Sequence, residues 1–224
     1  MSFNVAIDGP AGAGKSTIAK QVARKMNLIY VDTGAMYRAI GLYFIRENIS
    51  PDETDRIEEV CRKADVTIRY EKGEQIVCLN GENVNAWLRT EEVSRMSSRI
   101  SVFPEVRAKL RQLQCRLAAD EDVIMDGRDI GTCVLPDADV KIYLTASVEV
   151  RAKRRYEELQ AKGTECSLEE IMKEIADRDH RDMTREESPL RQAEDAVLVD
   201  TSDMGIEEVA AEIIRICGEK RGWK

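Results

Sequence analysis

The sequence predicts an α/β protein: a five-stranded parallel sheet flanked by helices, with a small α+β lobe inserted and a short lid. Three observations lead there. Apolar runs at Phe3 to Ile7, Leu28 to Val31, Val123 to Met125, Val140 to Leu144 and Ala196 to Val199 alternate with helical patterns, as strands joined by crossover helices do. A glycine-rich segment, Gly9-Pro10-Ala11-Gly12-Ala13-Gly14-Lys15-Ser16, follows the first run and completes the pattern G-x-x-x-x-G-K-[ST]. Finally, Val66 to Tyr70, Gln75 to Leu79 and Glu82 to Val84 break the alternation as three short strands, turned at Lys72-Gly73 and at an Asn80-Gly81 pair that favours a type I′ hairpin.

The first run reads as a strand, and Thr17 to Met26, with Ile18, Val22 and Met26 at helical spacing, reads as the helix behind it. Average residue usage produces the glycine pattern by chance in about 1% of chains this long, and the strand and helix supply the context that gives it meaning. In such a loop, here Gly9, Pro10, Ala11, Gly12, Ala13, Gly14, Lys15, Ser16 and Thr17, backbone N–H groups turn inward around phosphate oxygens, and the helix N-terminus adds partial positive charge. Lys15 then reaches the β- and γ-phosphates of a nucleoside triphosphate, and the Ser16 hydroxyl ligates Mg²⁺. After Val31 comes Asp32-Thr33-Gly34-Ala35-Met36-Tyr37-Arg38, in which Thr33 is placed to cap a helix. Pro104 opens a long helix to about Asp120, with Val106, Leu110, Leu113 and Leu117 on one face. Two further helices, Val148 to Gln160 and Ser167 to about Thr184, flank Ala161-Lys162-Gly163, a candidate lid. The last helix carries Ile206, Val209, Ala210, Ile213, Ile214 and Cys217 as one stripe, with Gly218 as its stop.

At 224 residues and 43% hydrophobic content, the chain suits one globular domain with a small lobe. Its formal net charge of −8 opposes a general affinity for nucleic acid or anionic membranes, so any bound anion needs a local basic cluster. The start Met1-Ser2-Phe3-Asn4 lacks the features of a leader, and no segment approaches the roughly 18 apolar residues that span a bilayer. A cytoplasmic protein is expected. Cys61, Cys78, Cys115, Cys133, Cys166 and Cys217 form no C-x-x-C pair, which predicts reduced and mostly buried thiols.

Ligands of open α/β sheets sit beyond the carboxyl ends of the strands. At one such end lies Asp126-Gly127-Arg128-Asp129-Ile130-Gly131-Thr132; an exposed turn explains its glycines but not why Arg128 and Asp129 stand together at the mouth of the sheet. A second cluster runs from Arg178 to Arg185. On a helix, Arg178, Arg181, Asp182 and Arg185 share a face, and three guanidinium groups there repel one another unless an anion lies between them. The plainer alternative is a solvated helix with an Arg178–Asp182 pair. Arg151, Arg154 and Arg155 read at least as well as a solvated face, and His180 as an exposed residue without a role.

Taken together, the phosphate loop, Asp-Thr-Gly-Ala-Met-Tyr-Arg at 32–38, Asp-Gly-Arg-Asp-Ile-Gly-Thr at 126–132, Arg-Asp-x-Arg-Asp-x-x-Arg at 178–185, and Ser188-Pro189-Leu190 with Ala193-Glu194-Asp195-Ala196 and Asp200-Thr201 make the chain resemble the bacterial cytidylate kinases, of the nucleoside monophosphate kinase group. The match runs over nearly the whole length. The resemblance implies a single phosphate-loop kinase domain over 1–224, containing a monophosphate-binding lobe at 33–105, its β-meander at 66–84 and a lid at 151–167. It implies transfer of a phosphoryl group from ATP, with Mg²⁺, to CMP or dCMP, by a monomer; the net charge adds the expectation of no nucleic-acid or membrane partner. Residue by residue, it implies that Thr33, Ser98, Arg107 and Asp129 surround the cytosine, that Arg178 and Asp182 hold the ribose, and that Arg38, Arg128 and Arg185 grip the acceptor phosphate. Lys15, Arg128, Arg178 and Arg185 are the catalytic residues so implied. Many members have Ser where this chain has Thr33; the hydroxyl is kept, so only added crowding is expected. A carboxylate such as Asp129 facing the N4 amine of cytosine and a guanidinium such as Arg107 facing its acceptor edge form a complementary pair. A related kinase for another acceptor and a nucleotide-dependent switch are the rival readings. Against a GTPase switch, no Asn in the chain precedes a Lys, so an Asn-Lys-x-Asp guanine motif is missing.

Overall fold

The computed structural model describes residues 2–161 and 163–222, and it places the chain in the α/β class. Contacts along the chain separate it into two units, one made of Phe3–Tyr30 and the chain from Asp122 onward, the other of Val31–Glu121. In chain order the first elements are β1 (Asn4–Asp8), α1 (Lys15–Met26) and β2 (Ile29–Asp32). The segment 31–121 then supplies α2 (Thr33–Arg46), α3 (Ile57–Lys63), β3 (Val66–Glu71), β4 (Glu74–Leu79), β5 (Glu82–Asn83), α4 (Glu91–Ile100) and α5 (Pro104–Asp120). After it come β6 (Val123–Gly127), one turn of π-helix at Ile130–Val134, β7 (Val140–Thr145), α6 (Val148–Ala161), α7 (Leu168–Thr184), β8 (Val197–Asp200) and α8 (Ile206–Arg221).

The five strands β2, β6, β1, β7 and β8 form one parallel sheet in that order, so the β1 end that leads into the phosphate loop lies at its centre. Central parallel strands are buried on both faces, and β1 and β6 are accordingly short apolar runs with Val5, Ala6, Ile7, Ile124 and Met125 fully buried. Ile18 and Val22 of α1 and Val209 and Ile213 of α8 pack with these strands into one core. Burying that many aliphatic side chains, at about 1.5–3 kcal/mol each, is the main force holding the unit together.

β6 is two residues longer than the apolar run predicts: Ile7 is paired with Asp126 and Asp8 with Gly127 in the parallel ladder. The backbone ladder recruits these polar residues because its hydrogen bonds do not depend on side-chain character. α8 also overruns its expected stop at Gly218 and ends at Gly222, which takes the left-handed conformation (φ 70°) that a helix C-terminus favours. On the same helix Ile206 is exposed, and Ile216 joins the buried stripe instead.

The other unit is built on α2, whose Met36, Ile40 and Phe44 are fully buried and which packs against α4, α5 and β4. Gly41 permits the close approach of α4, since a Cβ there would lie 3.1 Å from the Ser97 nitrogen. β3, β4 and β5 form the expected antiparallel meander, with Lys72, Gly73, Asn80 and Gly81 all at positive φ as type I′ turns require. Val84 leaves the last strand to become fully buried, so β5 is shorter than expected. On α5 the buried face runs through Val106, Leu110, Gln114 and Ala118, leaving Leu113 and Leu117 only partly covered.

Thr33 does not cap α2. Asp32 does, its Oδ1 accepting from the Ala35 N–H at 2.8 Å, and Thr33 is the first helical residue, buried. A carboxylate at this position satisfies an orphan N–H and also favours the positive end of the helix. The cysteines are free thiols, but only Cys78 and Cys217 are buried, Cys115 is exposed, and the rest are half-buried. That corrects the expectation that most are buried.

At the predicted lid, Lys162 lies outside the described residues. Gly163, at φ 71°, donates to the Gln160 carbonyl and Thr164 to that of Leu159, the paired bonds of a Schellman ending. Ala152, Ile171 and Ile175, flanked by Tyr156, Leu159, Cys166 and Met172, make a small core of their own between α6 and α7.

Candidate active site

The phosphate loop runs from the end of β1 to the start of α1. Gly9 has no room for a side chain, because a Cβ there would run into the Leu144 carbonyl on β7. Gly12, at φ 76°, takes a conformation that side chains disfavour. No side chain caps α1 at Gly14, so its first N–H groups are left for a ligand. Lys15 curls back over the loop and donates to the Pro10 carbonyl at 2.7 Å. Burial, then the charges of Arg128 and Arg178, hold its ammonium well below the usual lysine value, against the opposing pull of Asp126 and Asp8. A buried cation among cations is stabilised by an anion, which a phosphate provides.

Ser16 Oγ donates to Asp126 Oδ2 at 2.7 Å, and the Tyr30 hydroxyl donates to Asp126 Oδ1 at 2.9 Å. Two hard oxygen donors thus stand side by side at the helix start. Among the described residues no three His, Cys, Asp or Glu side chains gather into a metal cage. A serine and one carboxylate nevertheless fit Mg²⁺, which keeps waters and substrate phosphates as its other ligands.

Arg128, just past the Asp126 end of β6, meets α7. Its Nε donates to Asp182 Oδ2 at 2.8 Å, and Asp182 Oδ1 also lies 3.8 Å from Arg185 Nη1. Burial alone works against the Asp182 charge, but Arg128, Arg178 and Arg185 together hold its carboxyl below the ordinary value. In return, burial opposes the Arg128 charge, and Asp182, with Asp126 and Asp179 behind it, more than restores it. Arg185 is the residue at which α7 ends, and its Nε and Nη2 both donate to the Ser188 carbonyl, at 2.8 and 2.6 Å. Ser188 aims that carbonyl from a left-handed backbone, φ 49°. Arg185 Nη2 also lies 3.5 Å from Asp129 Oδ1.

Asp8, at the end of β1, accepts from the N–H groups of Ile130 (2.8 Å) and Gly131 (2.7 Å), tying the phosphate-loop strand to the turn that carries Arg128 and Asp129. Burial raises its pKa to about 6, although both N–H bonds oppose the rise. The π-helical turn that follows, with the Val134 N–H bonded to Asp129 O and Leu135 to Ile130 O, sets the direction in which this segment leaves the sheet.

The remaining predicted residues lie on the 31–121 unit. Arg38 is held by both oxygens of Asp32, at 3.0 and 3.2 Å. The Arg107 guanidinium stacks over the Tyr37 ring, 5.6 Å from its centroid, and Nη1 donates to the Ser101 carbonyl at 3.1 Å. Thr33, Ser98 and Arg107 are all buried. Arg38 Nε and Ser98 Oγ are buried polar atoms without a hydrogen-bond partner within the protein, a state rare enough in folded proteins to call for an explanation.

Thus Lys15, Ser16, Arg128, Asp129, Arg178, Asp182 and Arg185 come together on one unit, and Thr33, Arg38, Ser98 and Arg107 on the other. Asp182 is buried and bonded to Arg128, with Arg178 and Arg185 also acting on its charge, so it is not part of an exposed pair on a solvated helix. Arg181 and His180 are exposed, so Arg181 does not share the buried face of its neighbours. Of the three lid arginines only Arg155, paired with Glu158, stays on a solvated face. Arg154 donates to the carbonyl and hydroxyl of Thr201, and Arg151 is buried against Asp179 and the phosphate loop. Asp8, Tyr30, Asp126, Arg151 and Asp179 bond to this cluster or to the phosphate loop and the turn that carries it, and the sequence does not single them out; a carboxylate at or next to the end of a central strand, as in Asp8 and Asp126, is the signal that points to two of them.

A phosphate loop at the centre of a five-stranded parallel sheet, with a lysine and three arginines gathered around buried carboxylates, defines a phosphate-loop kinase. Solved structures agree on the fold: a shikimate kinase from Bacteroides thetaiotaomicron aligns with a TM-score of 0.50 at 15% identity, covering 96% of this chain and 97% of that one. The cytidylate kinase family model matches residues 5–219. The cytidylate kinase of Carboxydothermus hydrogenoformans is 50% identical over 218 residues, covering 97% of this chain and 98% of the relative, and that of Caldicellulosiruptor saccharolyticus is 51% identical over 214 residues, covering 96% and 95%. The chain belongs to the cytidylate kinase family.

Proposed function

We propose that this protein transfers the γ-phosphoryl group of ATP to CMP and dCMP, giving ADP and CDP or dCDP. The observation that carries the reading is the convergence of Arg128, Arg178 and Arg185 on Asp182, with Arg128 and Arg178 near enough to Lys15 to perturb it. A site that only held one triphosphate has no use for so many guanidinium groups; a donor triphosphate and an anionic acceptor together do.

The acceptor phosphate is already ionised near neutral pH, so no general base is needed. One of its oxygens attacks the γ-phosphorus, the bond from that phosphorus to the β,γ-bridging oxygen breaks, and ADP leaves with the electron pair. The chain's work is positioning and charge stabilisation. Backbone N–H groups of the loop that follows Pro10, Ala11 to Thr17, cradle the donor, Lys15 reaches its β- and γ-oxygens, and Arg128, Arg178 and Arg185 stabilise the transferring group and acceptor phosphate. Ser16, with Asp126 bonded to it, would hold Mg²⁺, which when bound offsets the charge on the β- and γ-phosphates. On the 31–121 unit, Thr33, Ser98 and Arg107 are assigned to the base and Arg38 to the acceptor phosphate; on the other, Asp129 is assigned to the base, Arg178 and Asp182 to the ribose. Segment 33–105, with the meander at 66–84, is assigned as the monophosphate-binding lobe and 151–167 as the lid. On this reading the enzyme is a cytoplasmic monomer, and its net charge of −8 works against association with nucleic acid or anionic membranes.

Uracil would turn an oxygen, not an amine, toward the Asp129 carboxylate, leaving polar groups unpaired in a desolvated pocket. Asp129→Asn should therefore erode the preference for CMP over UMP by about tenfold or more. A ratio of kcat/KM values unchanged by the substitution would remove Asp129 from the base-reading role.

A further inference from the structure

We infer that Arg151 and Asp179 act as a positioning pair for the phosphate loop, setting how tightly the loop holds the donor's phosphates. The inference rests on the reading that this loop binds ATP, and it concerns residues outside the loop and outside the acceptor-binding arginines.

The two side chains together engage both backbone groups of one residue of the loop. Arg151 Nη1 donates to the Ala11 carbonyl at 2.9 Å, and Asp179 Oδ1 accepts from the Ala11 N–H at 3.4 Å. They are joined to each other by a 2.6 Å bond from Arg151 Nη1 to Asp179 Oδ2, and Arg151 Nε is anchored on the Ala146 carbonyl at 2.9 Å. The Arg151 stem also lies directly against the loop: a Cβ on Gly12 would stand 3.3 Å from the Arg151 Cβ. Both side chains are nearly withdrawn from solvent, at 5% and 11% exposure, so this is not a mobile surface pair.

Two consequences follow from elementary chemistry. In a trans peptide the C=O of Ala11 and the N–H of Gly12 point in opposite directions, so fixing the carbonyl on Arg151 turns the Gly12 N–H to the other face of the loop. A phosphate cradle depends on such N–H groups holding one face. The second consequence is electrostatic. The Asp179 carboxylate sits at the loop that must receive a highly anionic donor, and alone it would repel those phosphates; Arg151 neutralises it. Arg128 and Tyr143 also face Asp179 closely enough to feel its charge, but Arg151 is its direct partner. Because Arg151 is on α6 and Asp179 on α7, the pair also ties Ala11 to both helices that flank the 162–167 connection.

The test measures equilibrium binding of a non-hydrolysable ATP analogue with Mg²⁺ and, separately, of CMP alone, for the full-length wild type, Arg151→Lys, Arg151→Met, Asp179→Asn and the Arg151→Met/Asp179→Asn double variant, with thermal unfolding of each. Arg151→Met should weaken the analogue by about tenfold or more while CMP binding stays within about twofold. The double variant should bind the analogue more tightly than Arg151→Met, because the uncompensated carboxylate is gone. If Arg151→Met does not fold, Arg151→Lys, which keeps the charge but loses the fork, should show the same selective loss at smaller size. Unchanged analogue binding, or equal loss of both ligands in step with lowered thermal stability, overturns the inference, as does a double variant no better than the single. A wild type that binds CMP but not the analogue overturns the donor-loop reading itself, and this inference with it.

Discussion

Asp182 accepts a 2.8 Å hydrogen bond from Arg128 across 54 residues of sequence, joining α7 to the end of β6. Both side chains are largely buried, 18% exposed for Arg128 and 7% for Asp182, so neither charge can be left alone without cost. Replacing one partner of such a pair typically costs about 3–5 kcal/mol. Asp182→Ala should therefore lower the urea-unfolding free energy by about that amount and reduce kcat/KM for CMP, since the direction of Arg128 is lost with it. A variant as stable and as active as the wild type would show that Arg128 is positioned by other contacts.

Arg185 is held for a different reason. The Ser188 carbonyl engages two of its nitrogens, which fixes the plane of the guanidinium at the site. A planar fork matches phosphate oxygens in a way an ammonium does not. Arg185→Ala is expected to reduce kcat/KM by about 10³ or more, on the scale of an arginine that stabilises phosphoryl transfer. Arg185→Lys should recover little of it. Steady-state kinetics with saturating ATP decide the matter, and near-normal turnover in Arg185→Ala would refute the role.

Asp8 brings a pH dependence. Its pKa in the fold is about 6, above its ordinary value of 3.8, so folding takes up a proton between those pH values. Its contribution to stability is fully present below about pH 4 and is lost as pH rises through about 6. Asp8→Asn lacks this dependence. The stability of the wild type relative to Asp8→Asn should fall by on the order of 2 kcal/mol between pH 4 and pH 7. Urea midpoints at the two pH values measure it, and a constant difference would mean that Asp8 does not titrate in this range.

Local patterns carried much of this architecture. The phosphate loop, the meander with its Asn80-Gly81 turn and the amphipathic last helix were legible because each is specified by neighbours in sequence. What escaped was set by partners far along the chain. Asp8 reads as the polar end of a strand until Ile130 and Gly131 arrive beside it. Arg151 reads as one of three solvated lid arginines, whereas its partners are Ala11 and Asp179. The same holds for Asp182: helical spacing offers Arg178 as its partner, and the fold adds Arg128 from the turn after β6. The end of α8 shows the limit from the other side, since Gly218 and Gly222 are equally good stops by type and only the backbone selects Gly222.

The reading of this chain as a CMP kinase is tested most directly by ADP release with ATP and a panel of CMP, dCMP, UMP and AMP as acceptors. CMP and dCMP should be turned over efficiently, with kcat/KM for UMP lower by about 10² or more, the penalty expected when a buried carboxylate meets an oxygen in place of an amine. Equal turnover of UMP or AMP, or ADP release indifferent to the acceptor, would contradict it.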